Sequence, residues 1–200
     1  MQRRDDALTM TDGPRDLKLR LALEDDLPAL RELMDAAIRE LQAPFLSPAQ
    51  RAASFSIMGL DTQLVADRTY FVVESGSRTA GCGGWSRRAT LFGGDHSRGR
   101  DAALLDPAKD AARVRAMYTH PDFTRRGVGR MVLEACEAAA AAEGFASCEL
   151  AATLAGEPLY KACGYHQIER FEADTPQGVT VPLVRMGKLF GGVTRPDGEG

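Results

Sequence analysis

The sequence is poor in cysteine and histidine, the side chains that form disulfides and bind zinc. Its 200 residues include four cysteines and three histidines, and no two cysteines form a Cys-x-x-Cys pair. They are Cys82, Cys136, Cys148 and Cys163, together with His96, His120 and His166. Small secreted scaffolds and zinc-binding domains use denser spacings. We therefore expect neither a disulfide framework nor a metal site.

The chain also lacks a long apolar run and an excess of positive charge. No run of about 18 apolar residues occurs, the length that a membrane-spanning helix needs, and residues 1–16 are charged where a signal peptide is apolar. Lys and Arg number 25 against 28 Asp and Glu, a net charge of −3. No net positive field therefore favours nucleic-acid binding by counterion release. We expect a cytoplasmic protein with no membrane or nucleic-acid partner.

What the chain does contain is enough apolar sequence for one folded domain. Hydrophobic residues make up 44% and charged residues 26% of it, ordinary values for a globular chain of this length. Neither residues 1–16 nor residues 191–200 show any period, which predicts a mobile arm and tail around a single domain at 17–190. Residues 87–112 are rich in Gly, Ser and Asp and long for a loop, so we expect them to be mobile or functional.

Hydrophobic periodicity predicts a chain of the α/β (α+β) class. The predicted strands are 17–21, 70–74, 79–88, 113–119, 147–152, 165–173 and 179–189. Helices are predicted over 27–41, after Ser47, after Gly127 and over 157–163. In the helix after Gly127, the predicted apolar stripe is Val128, Met131, Val132, Ala135, Cys136 and Ala139. The middle strand-helix-strand segment predicts a right-handed parallel β-α-β unit inside a mixed sheet.

Residues 115–130, RAMYTHPDFTRRGVGR, predict an anion site. A strand ends near Thr119, and two arginines and a Gly-x-Gly lead directly into a helix, whose first turn has unpaired N–H groups and the positive end of the helix dipole. Gly127 and Gly129 leave room for a ligand to reach the backbone. The added positive charges are Arg125, Arg126 and Arg130. The third glycine of a dinucleotide fingerprint and the Gly-Lys-Ser/Thr of a P-loop are absent, which leaves a pyrophosphate cradle of another kind or a tight turn.

Two motifs in this part of the chain resemble the GNAT superfamily of N-acetyltransferases. Residues 120–130, HPDFTRRGVGR, are similar to its acetyl-CoA loop, Gln/Arg-x-x-Gly-x-Gly/Ala, and residues 159–165, LYKACGY, resemble its Phe-Tyr-x-x-x-Gly-Phe segment. Thr124 stands where Gln or Arg is usual, so we expect a lost side-chain contact there rather than lost binding. The resemblance implies a mostly antiparallel sheet of about six or seven strands with one parallel β-α-β unit and about four flanking helices.

The resemblance also implies roles for individual residues, with acetyl-CoA as the co-substrate. The loop's N–H groups would hold the pyrophosphate, and the end of the preceding strand would bind the pantetheine arm. The residues concerned are Met117, Tyr118, Thr119, Arg125, Arg126, Gly127, Val128, Gly129 and Arg130. Tyr160 matches the position that in many members donates to the CoA sulfur as it leaves, and a phenol suits that general-acid role. A half-buried core tyrosine is the alternative.

The acceptor side is less determined. Attack by an amine needs a base, for which Glu149 is one candidate, with pairing to an arginine as its alternative role. His120 is expected to be structural. Asp95 and His96 are further candidates, because their segment, 87–112, is long enough to reach over an acceptor pocket. We expect an N-acetyltransferase that acts on a primary amine of a small molecule or peptide by direct attack in a ternary complex. The alternative is a non-catalytic acyl-CoA-binding sensor or partner-binding module, and family analogy implies a homodimer.

Overall fold

The computed structural model describes residues 16–191, and seven strands and five α-helices lie in that part of the chain. The strands are β1 Leu17–Leu21, β2 Tyr70–Ser75, β3 Arg78–Ser86, β4 Ala112–Thr119, β5 Ser147–Thr153, β6 His166–Ala173 and β7 Val181–Leu189. The helices are α1 Leu27–Leu41, α2 Pro48–Ser54, α3 Thr62–Ala66, α4 Val128–Ala142 and α5 Glu157–Ala162, with short 3-10 turns at Glu24–Asp26 and Pro121–Phe123. Apart from residues 16 and 191, the expected arm and tail lie outside the described residues.

The strands form one mixed sheet in the order β1-β2-β3-β4-β5-β7-β6. Every neighbouring pair is antiparallel except β4 and β5, which are parallel and joined through α4. This confirms the predicted fold class. The described residues contain one α-helix more than the four predicted, and the additional helix is α3. It was not predicted because its five residues are too few to show a periodic pattern.

Two predicted strands are two residues longer at one end than the strands in the structure, β3 at its C-terminal end and β7 at its N-terminal end. In both cases local contacts take the chain out of the sheet. At the end of β3, Arg87 accepts a backbone hydrogen bond from Leu105 and Arg88 forms an isolated bridge with Leu104, so residues 87 and 88 pair with the returning limb of their own segment. Before β7, the Val179 carbonyl accepts a hydrogen bond from the Thr175 hydroxyl at 2.6 Å. Residue 179 therefore belongs to the loop between β6 and β7, and β7 starts at residue 181.

The parallel ladder between β4 and β5 is short. It consists of two residue pairs, Ala112 with Cys148 and Arg113 with Glu149. Farther along β4, Ala116 has a φ of +50°, and the register with β3 shifts between Cys82 and Gly84. The bulge turns the second half of β4 away from β5, which leaves a gap between the two strands.

Helix α4 covers one face of the sheet and fixes the position of its own N-terminus. Its buried residues are Val128, Val132, Leu133, Cys136 and Ala140, so the predicted stripe is confirmed at three positions and the buried face is shifted toward Leu133. The helix packs closely on β3 because Gly81 carries no side chain, and a Cβ there would collide with Val128 Cγ1. Gly144, at a φ of +92°, follows the end of the helix.

The opposite face of the sheet is covered by α1, α2 and α3. Helix α1 buries the apolar residues Leu30, Leu33, Met34, Ala37 and Ile38. Helix α2 begins with a capping box, in which the Gln50 N–H donates to the Ser47 hydroxyl and the Ser47 N–H donates to the Gln50 side chain. Between residues 16 and 191, no helix is both long enough and apolar enough to cross a membrane.

Candidate active site

The gap between β4 and β5 opens into a cavity of about 700 Å³. One side is formed by the end of β4, the first turn of α4 and helix α5. The other side is formed by the C-terminal part of α1, residues 57–59 and residues 91–93. We call this second side, together with Arg115 of β4 and Leu183 of β7, the acceptor end. It consists of the cavity-lining residues within 37–45, 57–59 and 91–93, and of residues 115 and 183. The cavity thus connects the two faces of the sheet at the point where the ladder stops.

Residues 125–130 form a row of unpaired backbone donors along one wall. None of these six N–H groups donates a hydrogen bond of standard geometry within residues 16–191, and helix α4 begins with no side-chain cap. Arg125 at a φ of +64° and Gly127 at +86° give the loop its curvature. Gly129 allows α5 to approach, because a Cβ there would lie 2.6 Å from Leu159 Cδ2. The wall can accept an anion from its backbone alone.

The arginines of this loop have different surroundings. Arg125 and Arg130 line the cavity, and Arg130 Nη2 donates to the Ala162 carbonyl at 3.3 Å, which joins the start of α4 to the end of α5. Arg126 is not among the lining residues, and its guanidinium lies 5.2 Å from the centre of the Phe123 ring. Thr124 lines the cavity, and its hydroxyl donates to the Pro121 carbonyl at 3.0 Å.

Tyr160 lines the cavity from α5 and is 7% exposed. Its ring packs edge-on against Tyr165, with the ring centres 5.9 Å apart, and its hydroxyl has no hydrogen-bond partner within residues 16–191. Burial raises the pKa of Tyr160 above its usual value of 10, so the phenol stays protonated at neutral pH. It is therefore a hydrogen-bond donor held ready at the cavity wall.

A second phenol, Tyr118, lines the cavity from β4. Its hydroxyl oxygen accepts a hydrogen bond from the Gly59 N–H at 2.9 Å, which ties β4 to the connection before α3. Burial also raises the pKa of Tyr118. Met117 and Thr119 line the cavity beside it. Of the sequence-predicted site residues, the cavity thus brings together nine of eleven, and Arg126 and Glu149 lie outside its lining.

Glu149 is held in an ion-pair network on β5. One carboxylate oxygen accepts from Arg113 Nη1 at 2.7 Å and from Arg185 at 2.7 Å (Nη2) and 3.0 Å (Nε). This pairing raises the pKa of Arg185. The contacts correspond to the alternative role expected for Glu149, pairing with arginine, and its role as a base stays a prediction.

The other acceptor-side candidates make structural contacts. His120 Nδ1 accepts a hydrogen bond from the Asp122 N–H at 3.2 Å, in keeping with its expected structural role. Asp95 accepts from the Thr62 N–H at 3.0 Å, and a His96 ring nitrogen lies 2.7 Å from the Phe55 carbonyl oxygen. Through these contacts the segment 87–112 is fastened to the connection between α2 and α3. Residues 16–191 contain no group of three His, Cys, Asp or Glu placed to bind a metal ion.

Sequence reasoning missed a buried ion cluster behind the acceptor end. Asp61, 0% exposed, accepts from Arg115 and from Arg100, the latter at 2.8 Å. Arg115 Nη2 also donates to the Gly93 carbonyl at 3.0 Å, and within the described residues its buried Nε has no partner. Burial lowers the pKa of Arg115, and Asp61 opposes that effect. The cluster holds the segment 87–112 against β4, and Arg115 itself lines the cavity.

Comparisons with known proteins agree with this geometry. Residues 66–167 match the family model described as an acetyltransferase (GNAT) domain. No curated protein gives a significant match to the sequence.

Three solved structures illustrate the similarity of fold. A GCN5-related N-acetyltransferase from Rhodopseudomonas palustris has a TM-score of 0.65 at 20% identity, covering 86% of this chain and 95% of its own. The protein yncA from Salmonella typhimurium, solved with its cofactor acetyl-CoA, has a TM-score of 0.60 at 16% identity over 92% and 99% of the two chains. The PaiA N-acetyltransferase from Thermoplasma acidophilum, in complex with coenzyme A, has a TM-score of 0.58 at 14% identity over 87% and 99%.

Proposed function

The chain belongs to the GNAT acetyltransferase family, and from that premise we propose that it acetylates a primary amine of a small molecule or a peptide. Acetyl-CoA is the co-substrate, and the amine attacks it directly in a ternary complex. The observation that carries the proposal is that five residues with unpaired N–H groups, on α4 and its preceding loop, line the same cavity as a buried, protonated phenol on α5.

The residues present fit acetyl-CoA, which supplies an acetyl group activated as a thioester. The N–H groups of residues 125–130 bind the pyrophosphate, and Arg125 and Arg130 add charge where its oxygens lie. The second half of β4, residues 117–119, faces the gap, where its backbone groups bind the pantetheine arm. Arg126 takes part through its N–H group rather than its guanidinium, which lies against Phe123.

Tyr160 donates a hydrogen bond, and then its proton, to the sulfur as the carbon–sulfur bond breaks. Like any phenol, it is protonated at neutral pH, and a hydrogen bond to negative charge developing on sulfur is strongest where water is excluded. The hydroxyl has no hydrogen-bond partner within residues 16–191 that would compete for its proton.

A Tyr160→Phe variant tests this role. We expect a fall in kcat of about 10²–10⁴, the usual contribution of a positioned proton donor, with little change in the KM for acetyl-CoA. Tyr165→Phe is the matched control, because Tyr165 is buried beside Tyr160 and does not line the cavity. Release of CoA thiol is the assay, and unchanged turnover in Tyr160→Phe would remove this residue from the mechanism.

The alternative of a non-catalytic acyl-CoA-binding module is favoured by one observation. None of the lining residues, all of which belong to the described part of the chain, is Asp, Glu or His. In an enzyme, the proton of the amine would then leave through water, whereas a sensor would need no base. Turnover of any amine excludes a purely binding role, and failure of acetyl-CoA to raise the Tm contradicts both functions. Homodimer formation and a cytoplasmic location stay predictions.

A further inference from the structure

The acceptor end of the cavity is mainly apolar. Its wall is formed chiefly by Leu41, Phe45, Ile57, Met58, Leu91 and Phe92. These side chains come from the end of α1, the connection after α2 and the fastened segment 87–112, and Phe92 is supported by Phe171, with the ring centres 5.8 Å apart. A flat, apolar molecule placed here exchanges water for hydrophobic contact on several sides.

The polar groups at this end include a neutral amide and a phenol. Gln42 is 6% exposed, and its Nε2 donates to Met58 Sδ at 3.1 Å, which leaves its carbonyl oxygen as an acceptor in the wall. The Tyr118 hydroxyl already accepts from the Gly59 N–H and keeps its own proton to donate. These groups can bind and orient an uncharged amine.

The charged side chains that line the cavity within the described residues are all cationic. They are Arg115 at the acceptor end and Arg125 and Arg130 at the anion-binding wall. Arg115 is paired with the buried Asp61, which balances its charge from behind the wall. An alkylammonium ion entering this cavity would lose its water and find no carboxylate in the lining to replace it. Desolvation therefore disfavours the ion, and an amine that is neutral in water at pH 7 avoids this penalty.

We propose that the acceptor is an apolar aromatic amine, in which the nitrogen is bonded directly to the ring and is uncharged at neutral pH. This inference rests on the proposed function and specifies its substrate class. The nitrogen lone pair bonds to the acetyl carbon, and the carbon–sulfur bond breaks with its electron pair on sulfur. The nitrogen loses one proton and the sulfur gains one, so the products are an N-aryl acetamide and CoA thiol with no net proton released.

The isomers 4-methylaniline and benzylamine test the proposal with the same atoms and nearly the same apolar area. At pH 7 the first is neutral and the second is almost entirely an ammonium ion. We expect kcat/KM for 4-methylaniline to be at least about tenfold higher at pH 7, a modest part of the cost of burying an unpaired charge. The ratio of the two kcat/KM values should fall toward pH 9, because benzylamine loses its proton over this range.

Equal values, or a preference for benzylamine at pH 7, would overturn the inference. So would acetylation of a lysine peptide or a polyamine when neither isomer reacts, although this result leaves the proposed function intact. If acetyl-CoA binds and no amine of any class is acetylated, the proposed function fails and the inference fails with it.

Two variants test the residues behind the preference. Gln42→Glu places a carboxylate in the wall, and we expect the ratio of kcat/KM values to shift toward benzylamine by about tenfold. Phe92→Ala should raise the KM for 4-methylaniline several-fold and leave the KM for acetyl-CoA unchanged. Leu104→Ala is the control on the same segment, since Leu104 is 69% exposed and outside the lining. An unchanged ratio in Gln42→Glu, or an unchanged KM in Phe92→Ala, contradicts the assignment of this wall.

Discussion

Replacing Asp61 by Asn removes the carboxylate on which two arginines depend. Asp61 is 0% exposed and the Arg115 side chain 2% exposed, so the loss leaves Arg115 as a buried charge without a counterion. Removing one partner of a buried pair costs about 3–5 kcal/mol. Coulomb's law gives a similar figure, about 4 kcal/mol for charges 4 Å apart at an effective dielectric constant of 20. We expect the free energy of unfolding to fall by about 4 kcal/mol.

Urea unfolding measures this loss. The chain has one tryptophan, Trp85, which is 2% exposed in the core, so its fluorescence reports global unfolding. The linear dependence on urea gives the free energy of each variant. Asp122→Asn is the control, because Asp122 also pairs with an arginine, Arg78 at 2.5 Å, but both side chains are more than half exposed. This variant should not differ measurably from the parent protein.

A double variant separates loss of charge balance from loss of shape. In Asp61→Asn/Arg115→Met no buried charge is left at the pair, and an apolar replacement of an ion pair is often close to neutral. We expect the double variant to regain at least about half of the lost stability. The reasoning is refuted if Asp61→Asn costs less than about 1 kcal/mol, or if the double variant is no more stable than the single one.

Two further predictions concern stability. Asp67 accepts hydrogen bonds from Arg88, which lowers its pKa; a lowered pKa stabilises the folded state above the ordinary pKa of about 3.9 and ceases to do so in acid. Asp67→Asn should therefore lower the urea midpoint more at pH 7 than at pH 3, and equal midpoints of variant and parent at pH 7 would contradict this. Gly81→Ala should cost about 1–3 kcal/mol by overpacking, because the new Cβ would collide with Val128 Cγ1 and lie 2.9 Å from the Tyr118 carbonyl oxygen. A Gly81→Ala protein of parental stability would show that α4 is not closely seated on β3.

The loop that leads into α4 at the cavity could be predicted from the sequence because its parts are contiguous. A strand end, two arginines, a glycine at positive φ and a helix start follow one another within residues 115–130. The position of Tyr160 in the cavity wall was predictable for the same reason, since its motif lies within seven residues, and its catalytic role stays a prediction. The apolar stripe of α4 was placed correctly at Val128, Val132 and Cys136.

Contacts between distant residues could not be predicted in this way. Asp61 and Arg115 are 54 positions apart, and no local pattern distinguishes Asp61 from a surface aspartate. Glu149 meets Arg113 because the two residues are partners in the β4–β5 register, and it meets Arg185 from the neighbouring strand β7. The register follows from the packing of the whole sheet, so the sequence left both roles of Glu149 open.

The short β4–β5 ladder also affects the mechanics of the sheet. Strands β1–β4 and β5–β7 form two plates that share hydrogen bonds at one corner, Ala112 and Arg113 with their partners. Away from this corner, the plates are joined by side-chain packing, with α4 on β3, β4 and β5 and Phe92 against Phe171. A change in the angle between them breaks few hydrogen bonds, so it is a soft deformation of an otherwise stiff sheet. A ligand that bonds to both free edges stiffens the sheet, and slower amide exchange along residues 117–119 would measure the effect.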